Sequence, residues 1–172
     1  MNRCFATLLL TVLSFGSISP SEPAEDVRHL AFFHTHTSEE LSVTYYVNGE
    51  YVASAISELN HFLRDFRTGD ETGMDPGVFD ILFEIQQSSG STGVYQVISA
   101  YRSPATNEML RSRSGGVARN SQHLLGKAID VRLTDLDTAT LRDVALSLKR
   151  GGVGHYSESD FVHVDTGRVR RW

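Results

Sequence analysis

From Lys127 to Leu133 the chain alternates, with Ile129, Val131 and Leu133 pointing one way and Ala128, Asp130 and Arg132 the other. Period-two alternation of this kind makes a β-strand with one face on a core. The strand therefore carries a carboxylate, Asp130, in its middle, and burying it is costly unless something pairs with it. Arg132, on the same face, is one such partner; a metal ion is another. The stretch Phe161 to Asp165 repeats the pattern, with Val162 and Val164 toward the core and Phe161, His163 and Asp165 opposite. His123 stands just before the first strand, and Gly126 lets the backbone approach closely between His123 and Asp130.

Two histidines and a carboxylate are what a catalytic zinc site uses, with a fourth position left open for water. His123, Asp130 and His163 are the candidate trio. The simplest register of a hairpin between Val153–Tyr156 and Phe161–Asp165 puts Gly154 opposite His163, leaving room above the ring for a metal or a substrate. The same register turns His155 to the valine side and removes it from the ligand set.

Upstream, strands are expected from about His29 to Thr37, Leu41 to Tyr46 and Glu50 to Ala53, with Asn48-Gly49 as a hairpin turn. The pair His34-x-His36 shares a strand face, but no carboxylate stands in step with it, and a polar edge strand accounts for it. A helical stripe runs from Ser54 to Arg67, leaving His61 on the surface. Asp75-Pro76 opens a second helix as N-cap and first helical residue. Tyr95 to Tyr101 reads as a central strand, Ala105 to Arg113 as a short helix, and Thr134 or Asp135 to Arg150 as an amphipathic helix ended by Gly151-Gly152. Arg168 to Arg171 reads as a solvated basic end.

With 172 residues, 40% of them hydrophobic and 22% charged, the chain suits one folded domain rather than a disordered or membrane-embedded one. The formal net charge of -5 and the lack of a basic block argue against nucleic acid as a partner. Met1-Asn2-Arg3 followed by the uncharged stretch Phe5 to Ile18 has the shape of a secretory signal peptide, taken as residues 1–24 with the cut near Ala24 or at the small-x-small pattern Ser14-Phe15-Gly16; one uncleaved anchor helix is the alternative. The sole cysteine, Cys4, would leave with it, so a metal site must use His and carboxylate ligands. No stable membrane span is expected after signal removal.

Ser121-x-His123 with Asp130 seven residues on and a later His resembles the zinc peptidases that include D-Ala-D-Ala carboxypeptidases and dipeptidases, whose fold hedgehog signalling domains share. The closer resemblance is to the YcbK-like murein endopeptidases. It rests on Phe33 to Thr37, Met74-Asp75-Pro76, Ser99 to Pro104, Asn107, Val117-Ala118, Ser121 to Asp130, Gly151 to Tyr156 and Phe161 to Gly167. His34 departs from the pattern, where asparagine is expected.

The resemblance implies an α+β fold in which a small antiparallel sheet carries the zinc site and helices pack on one side. Residues 25–172 would form the catalytic domain. It also implies zinc held by His123, Asp130 and His163, and an arginine, Arg102, that stabilises charge on a tetrahedral intermediate. Ser121 binds substrate or braces its loop. The general base is expected at Asp160, three positions before the last ligand, with Asp165 as the alternative or as an orienter of the His163 ring. The implied activity is hydrolysis of peptidoglycan cross-links in the periplasm, including those joining two diaminopimelate residues. Trimming of stem termini, a silent murein-binding module and an exported metal carrier are the other readings.

Overall fold

The computed structural model describes residues 25–172. The signal-peptide reading and Cys4 lie outside the described residues. In chain order come β1 (Val27–His34), β2 (Glu40–Val47), β3 (Glu50–Tyr51), α1 (Ala53–Phe62), α2 (Pro76–Ser89), β4 (Tyr95–Ser99) and α3 (Pro104–Arg113). A single 3-10 turn (Gln122–Leu125) precedes β5 (Ala128–Leu133), and α4 (Thr138–Leu148), β6 (Gly152–Tyr156), β7 (Phe161–Asp165) and β8 (Arg170–Arg171) follow. Among the described residues no helix is long and apolar enough to cross a membrane.

The strands form one sheet in the order β3-β2-β1-β4-β5-β7-β6-β8. Its apolar face is built by the expected alternation. Leu30 and Phe32, Tyr95 and Val97, Ile129 and Val131, and Val162 and Val164 are all buried on one core. Helices α1, α2 and α4 pack against those strands. Removing apolar surface from water, at about 25 cal/mol per Å², is what holds such layers together. A buried polar tie supplements it: Asp80 of α2 accepts from Arg28 at 2.8 Å, Tyr45 at 3.1 Å and Tyr51 at 2.6 Å.

The α+β class stands, but the sheet is mixed rather than purely antiparallel. β1 runs parallel to β4 and β8 parallel to β6. The first crossover carries α1 and α2, the usual way to join parallel neighbours. It also makes β1 an interior strand, which corrects the edge-strand reading of His34. That ring is 1% exposed, with Phe62 at 5.9 Å and Phe66 at 5.6 Å in edge contact. His36 lies beyond the strand, stacked on Phe66 at 4.1 Å.

Two helices are shorter than their stripes. α1 stops at Phe62 because the buried Asp65 turns the chain, accepting from Ser103 N at 2.9 Å and Arg67 N at 3.0 Å. α4 starts at Thr138 because Asp137 caps it by accepting from Thr140 N, while Asp135 holds Ser91 and Thr92 of the preceding connector. Asp75 caps α2 as expected and also accepts from Thr166 at 2.7 Å, tying that helix to the end of β7. The segment 114–123 lies over the polar face of the sheet, where the cleft opens.

Candidate active site

Asp130 of β5 and His163 of β7 are direct cross-strand partners, and Gly154 of β6 pairs with His163 from the other side. His123 reaches the same point from the 3-10 turn. That turn is capped by Ser121, whose hydroxyl accepts from His123 N, and closed by Gly126 at φ +65°. A Cβ at Gly126 would meet Gly73 O at 2.7 Å, so the close backbone approach is real.

Three atoms converge. His163 Nδ1 is 2.8 Å from Asp130 Oδ1, His123 Nε2 is 3.1 Å from His163 Nδ1, and His123 Nε2 is 3.2 Å from Asp130 Oδ1. The far nitrogen of each ring is anchored. His123 Nδ1–H donates to Ala100 O at 2.6 Å, and His163 Nε2–H donates to Asp165 Oδ2 at 2.9 Å. With the far nitrogens engaged that way, the two near ring nitrogens and a carboxylate oxygen converge on one point, a crowding that a proton on His163 relieves while no metal is there. A cation resolves that arrangement, and the anchors are the outer partners that metal-bound histidines use. The donor set of two imidazoles, one carboxylate and no thiolate fits zinc in a tetrahedral site with one position open.

Asp165 is fully buried and held from three directions. Arg170 donates both terminal nitrogens to it, at 2.9 and 2.6 Å, and Gly152 N and Gly167 N donate at 3.1 and 2.8 Å. Burial opposes its ionised form, but the bonds from His163, Arg170 and Gly167 prevail and hold its pKa well below the usual range. Asp130 is likewise held low, with His123 and His163 outweighing the effect of burial. Burial opposes a charged His163, yet Asp130 and Asp165 raise its pKa to about 9 in the metal-free protein.

That value gives a pH expectation. A metal ligand must be deprotonated, so below pH ~9 metal uptake displaces a proton from His163. Apparent metal affinity should climb by up to about tenfold per pH unit below 9 and level off above it. A titration calorimeter with zinc in buffered steps from pH 6 to 10 measures this; a flat profile would contradict the assignment. The metal-free fold behaves oppositely. The stability gained from protonated His163 is complete below the unfolded value near 6.5 and is lost as pH rises through 9.

Arg102 sits where β4 gives way to α3. Its backbone is fixed by Arg102 N donating to His123 O at 3.2 Å, and its neighbours are fixed by Leu63 O and Asp65. The guanidinium lies 3.8 Å from Asp130 Oδ2 with a long contact to Asn107 at 3.5 Å, and its buried Nε has no partner among the described residues. Burial lowers its pKa, opposed by Asp130. A buried, under-bonded guanidinium beside a metal-type trio is a donor waiting for an anion.

These residues open into a cleft of about 410 Å³ lined by Arg102, Ser121, the trio, Tyr156 and Trp172. Ser121 both caps the His123 turn and lines the cleft. Asp160 does neither. It occupies the β6–β7 turn at φ +50°, and its carboxylate accepts from Thr138 at 3.0 Å and Arg132 at 3.2 Å, outside the cleft lining. The structure thus does not bring the expected base to the trio, because Arg132 claims Asp160 rather than Asp130. We expect Asp160→Ala to keep turnover within about threefold and to cost about 1 kcal/mol of stability; paired kinetics and thermal melts check it. Lost turnover with metal retained would return Asp160 to the base role.

His155 stands on the other face, bonded to Arg142 and Thr138. The basic end is not a solvated tail: β8 pairs with β6, Arg170 locks Asp165, and Trp172 lies 5.1 Å from the His163 ring. The space above Gly154 is therefore filled by the indole, since a Cβ there would fall 2.5 Å from Trp172 Cε2. The missing side chain opposite His163 was the one sequence signal for this packing.

The family model described as peptidoglycan L,D-endopeptidase MepK matches residues 22–172. The chain is 38% identical to "Peptidoglycan L,D-endopeptidase MepK" of Escherichia coli over 164 residues, covering 95% of this chain and 88% of that protein. It is 40% identical to "Probable peptidoglycan L,D-endopeptidase MepK" of Haemophilus influenzae over 146 residues, covering 84% of this chain and 78% of that protein. No solved structure gives a significant match.

Proposed function

The chain belongs to the peptidoglycan L,D-endopeptidase MepK family, and on that footing we propose that it is a zinc-dependent endopeptidase hydrolysing L,D peptide bonds in peptidoglycan cross-links. The observation that carries the metal part is the convergence of His123 Nε2, Asp130 Oδ1 and His163 Nδ1, with both far ring nitrogens already engaged. Zinc held there would supply Lewis acidity and a water made acidic enough to act near neutral pH.

The remaining work falls to the chain itself. Asp165, clamped by Arg170, keeps the His163 ring turned toward the trio. Ala100 O does the same for His123, and Ser121 holds the turn that delivers it. Arg102 meets the negative charge that develops on the scissile carbonyl oxygen. Its burial makes that donor stronger than one in water and leaves it little freedom to lose. The wall of Tyr156, Phe161 and Trp172 gives the cleft an apolar side for the stem peptide.

Peptidoglycan lies outside the cytoplasmic membrane, so the site of action is extracytoplasmic. We place it in the periplasm, with residues 1–24 as the export signal. Digestion of isolated cross-linked muropeptides, with products identified by mass, tests the reading. Conversion of dimers to monomers is expected, and the product masses name the bond, including the one between two diaminopimelate residues. Loss of only a terminal residue would make the chain a carboxypeptidase. Zinc bound at one per chain without any product would make it a binding module.

A further inference from the structure

The cleft holds a second unengaged donor besides Arg102. Tyr156, at the end of β6, is stacked on Phe161 with centroids 4.5 Å apart and planes 15° apart, which fixes the ring. The indole N–H of Trp172 donates to the Tyr156 hydroxyl oxygen at 2.8 Å. That bond occupies a lone pair of the oxygen and leaves its O–H proton free, and among the described residues the hydroxyl donates to no protein acceptor. Trp172 itself lies against the Arg170 guanidinium at 4.8 Å and the His163 ring at 5.1 Å. The hydroxyl is thus presented by a packed aromatic pair at the rim of the cleft that contains the trio and Arg102.

We propose that Tyr156 is a catalytic residue: its hydroxyl, aimed by Trp172, donates a hydrogen bond to the scissile carbonyl oxygen as that oxygen becomes an oxyanion, opposite Arg102. The proposal rests on the hydrolase reading above. In the step it serves, the oxygen of water bonds to the carbonyl carbon and the π pair moves onto the carbonyl oxygen. The oxyanion pair then re-forms the C=O bond as the C–N bond breaks, the C–N pair goes to the leaving nitrogen, and that nitrogen takes up the protons released by water, leaving a carboxylate. Tyr156 keeps its own proton throughout. A fixed donor that strengthens only as charge develops raises turnover without tightening substrate binding.

The test compares wild type with Tyr156→Phe, which keeps the ring and its stack and removes only the hydroxyl. Three quantities are read: zinc stoichiometry, kcat and KM on a dimeric muropeptide, and affinity for a phosphinate analogue of the scissile bond. Zinc should stay at one per chain, KM should stay within about threefold, and kcat should fall about 10²-fold, as for loss of one oxyanion donor. Phosphinate affinity should fall in parallel. An unchanged kcat, or a fall in kcat with phosphinate affinity intact, overturns the proposal. If Tyr156→Phe fails to hold zinc, Trp172→Phe decides. It removes the N–H that aims the hydroxyl, and it should lower kcat and phosphinate affinity together; no effect on either overturns the proposal. A wild-type protein that cuts no muropeptide sinks the hydrolase reading, and the Tyr156 assignment with it.

Discussion

His123→Ala should abolish metal binding and hydrolysis together while leaving the fold intact. The ring is buried at 3% exposure, but it projects from a capped turn on the polar side of the sheet rather than from the apolar core. Its removal takes one of three ligands and leaves Asp130 and His163 facing a gap. Disturbing an outer partner of a metal ligand costs about 10–100-fold in affinity or activity. Loss of the ligand itself should exceed that, so turnover should drop more than about 10²-fold with zinc below one per chain. Metal analysis beside muropeptide kinetics and circular dichroism measures it. Retained hydrolysis in a folded, metal-free variant would remove the metal from the mechanism.

Arg102→Ala should separate from that result by keeping zinc. The guanidinium contacts Asp130 only at 3.8 Å, on the oxygen that faces away from the histidines. The trio therefore survives its loss, and what goes is the donor to the developing oxyanion. A fall in kcat of about 10²–10³-fold is expected, with KM little changed. Arg102→Lys should recover little, because a point ammonium keeps the main-chain bond to His123 O but cannot reproduce the planar fork that reaches Asn107 and the Asp130 side of the cleft. An Arg102→Ala enzyme with unaltered kcat would reduce Arg102 to a structural residue at the start of α3.

The two strands that carry Asp130 and His163 were legible because alternation reports a one-sided strand directly. The hairpin register followed from it, Gly154 opposite His163 included. Capping residues were legible for the same local reason, as at Asp75. What stayed hidden depends on contacts far apart in sequence. A two-residue strand such as β8 has no period to read, so Arg170 and Trp172 looked like a solvated end although Arg170 grips Asp165 and Trp172 covers His163. The parallel pairing of β1 with β4 is set by the α1–α2 crossover, which no local pattern announces, and it buries His34. Asp160 was placed by motif position alone. The turn that holds it at positive φ points its carboxylate to Arg132 and Thr138.

The most direct test of the metal-hydrolase account is reconstitution. The purified protein is stripped with a chelator, returned to zinc in graded amounts, and assayed at each step on cross-linked muropeptides. No cleavage of dimers is expected from the stripped protein, with recovery in proportion to bound zinc, complete at one ion per chain. Full cleavage by the stripped protein would contradict it.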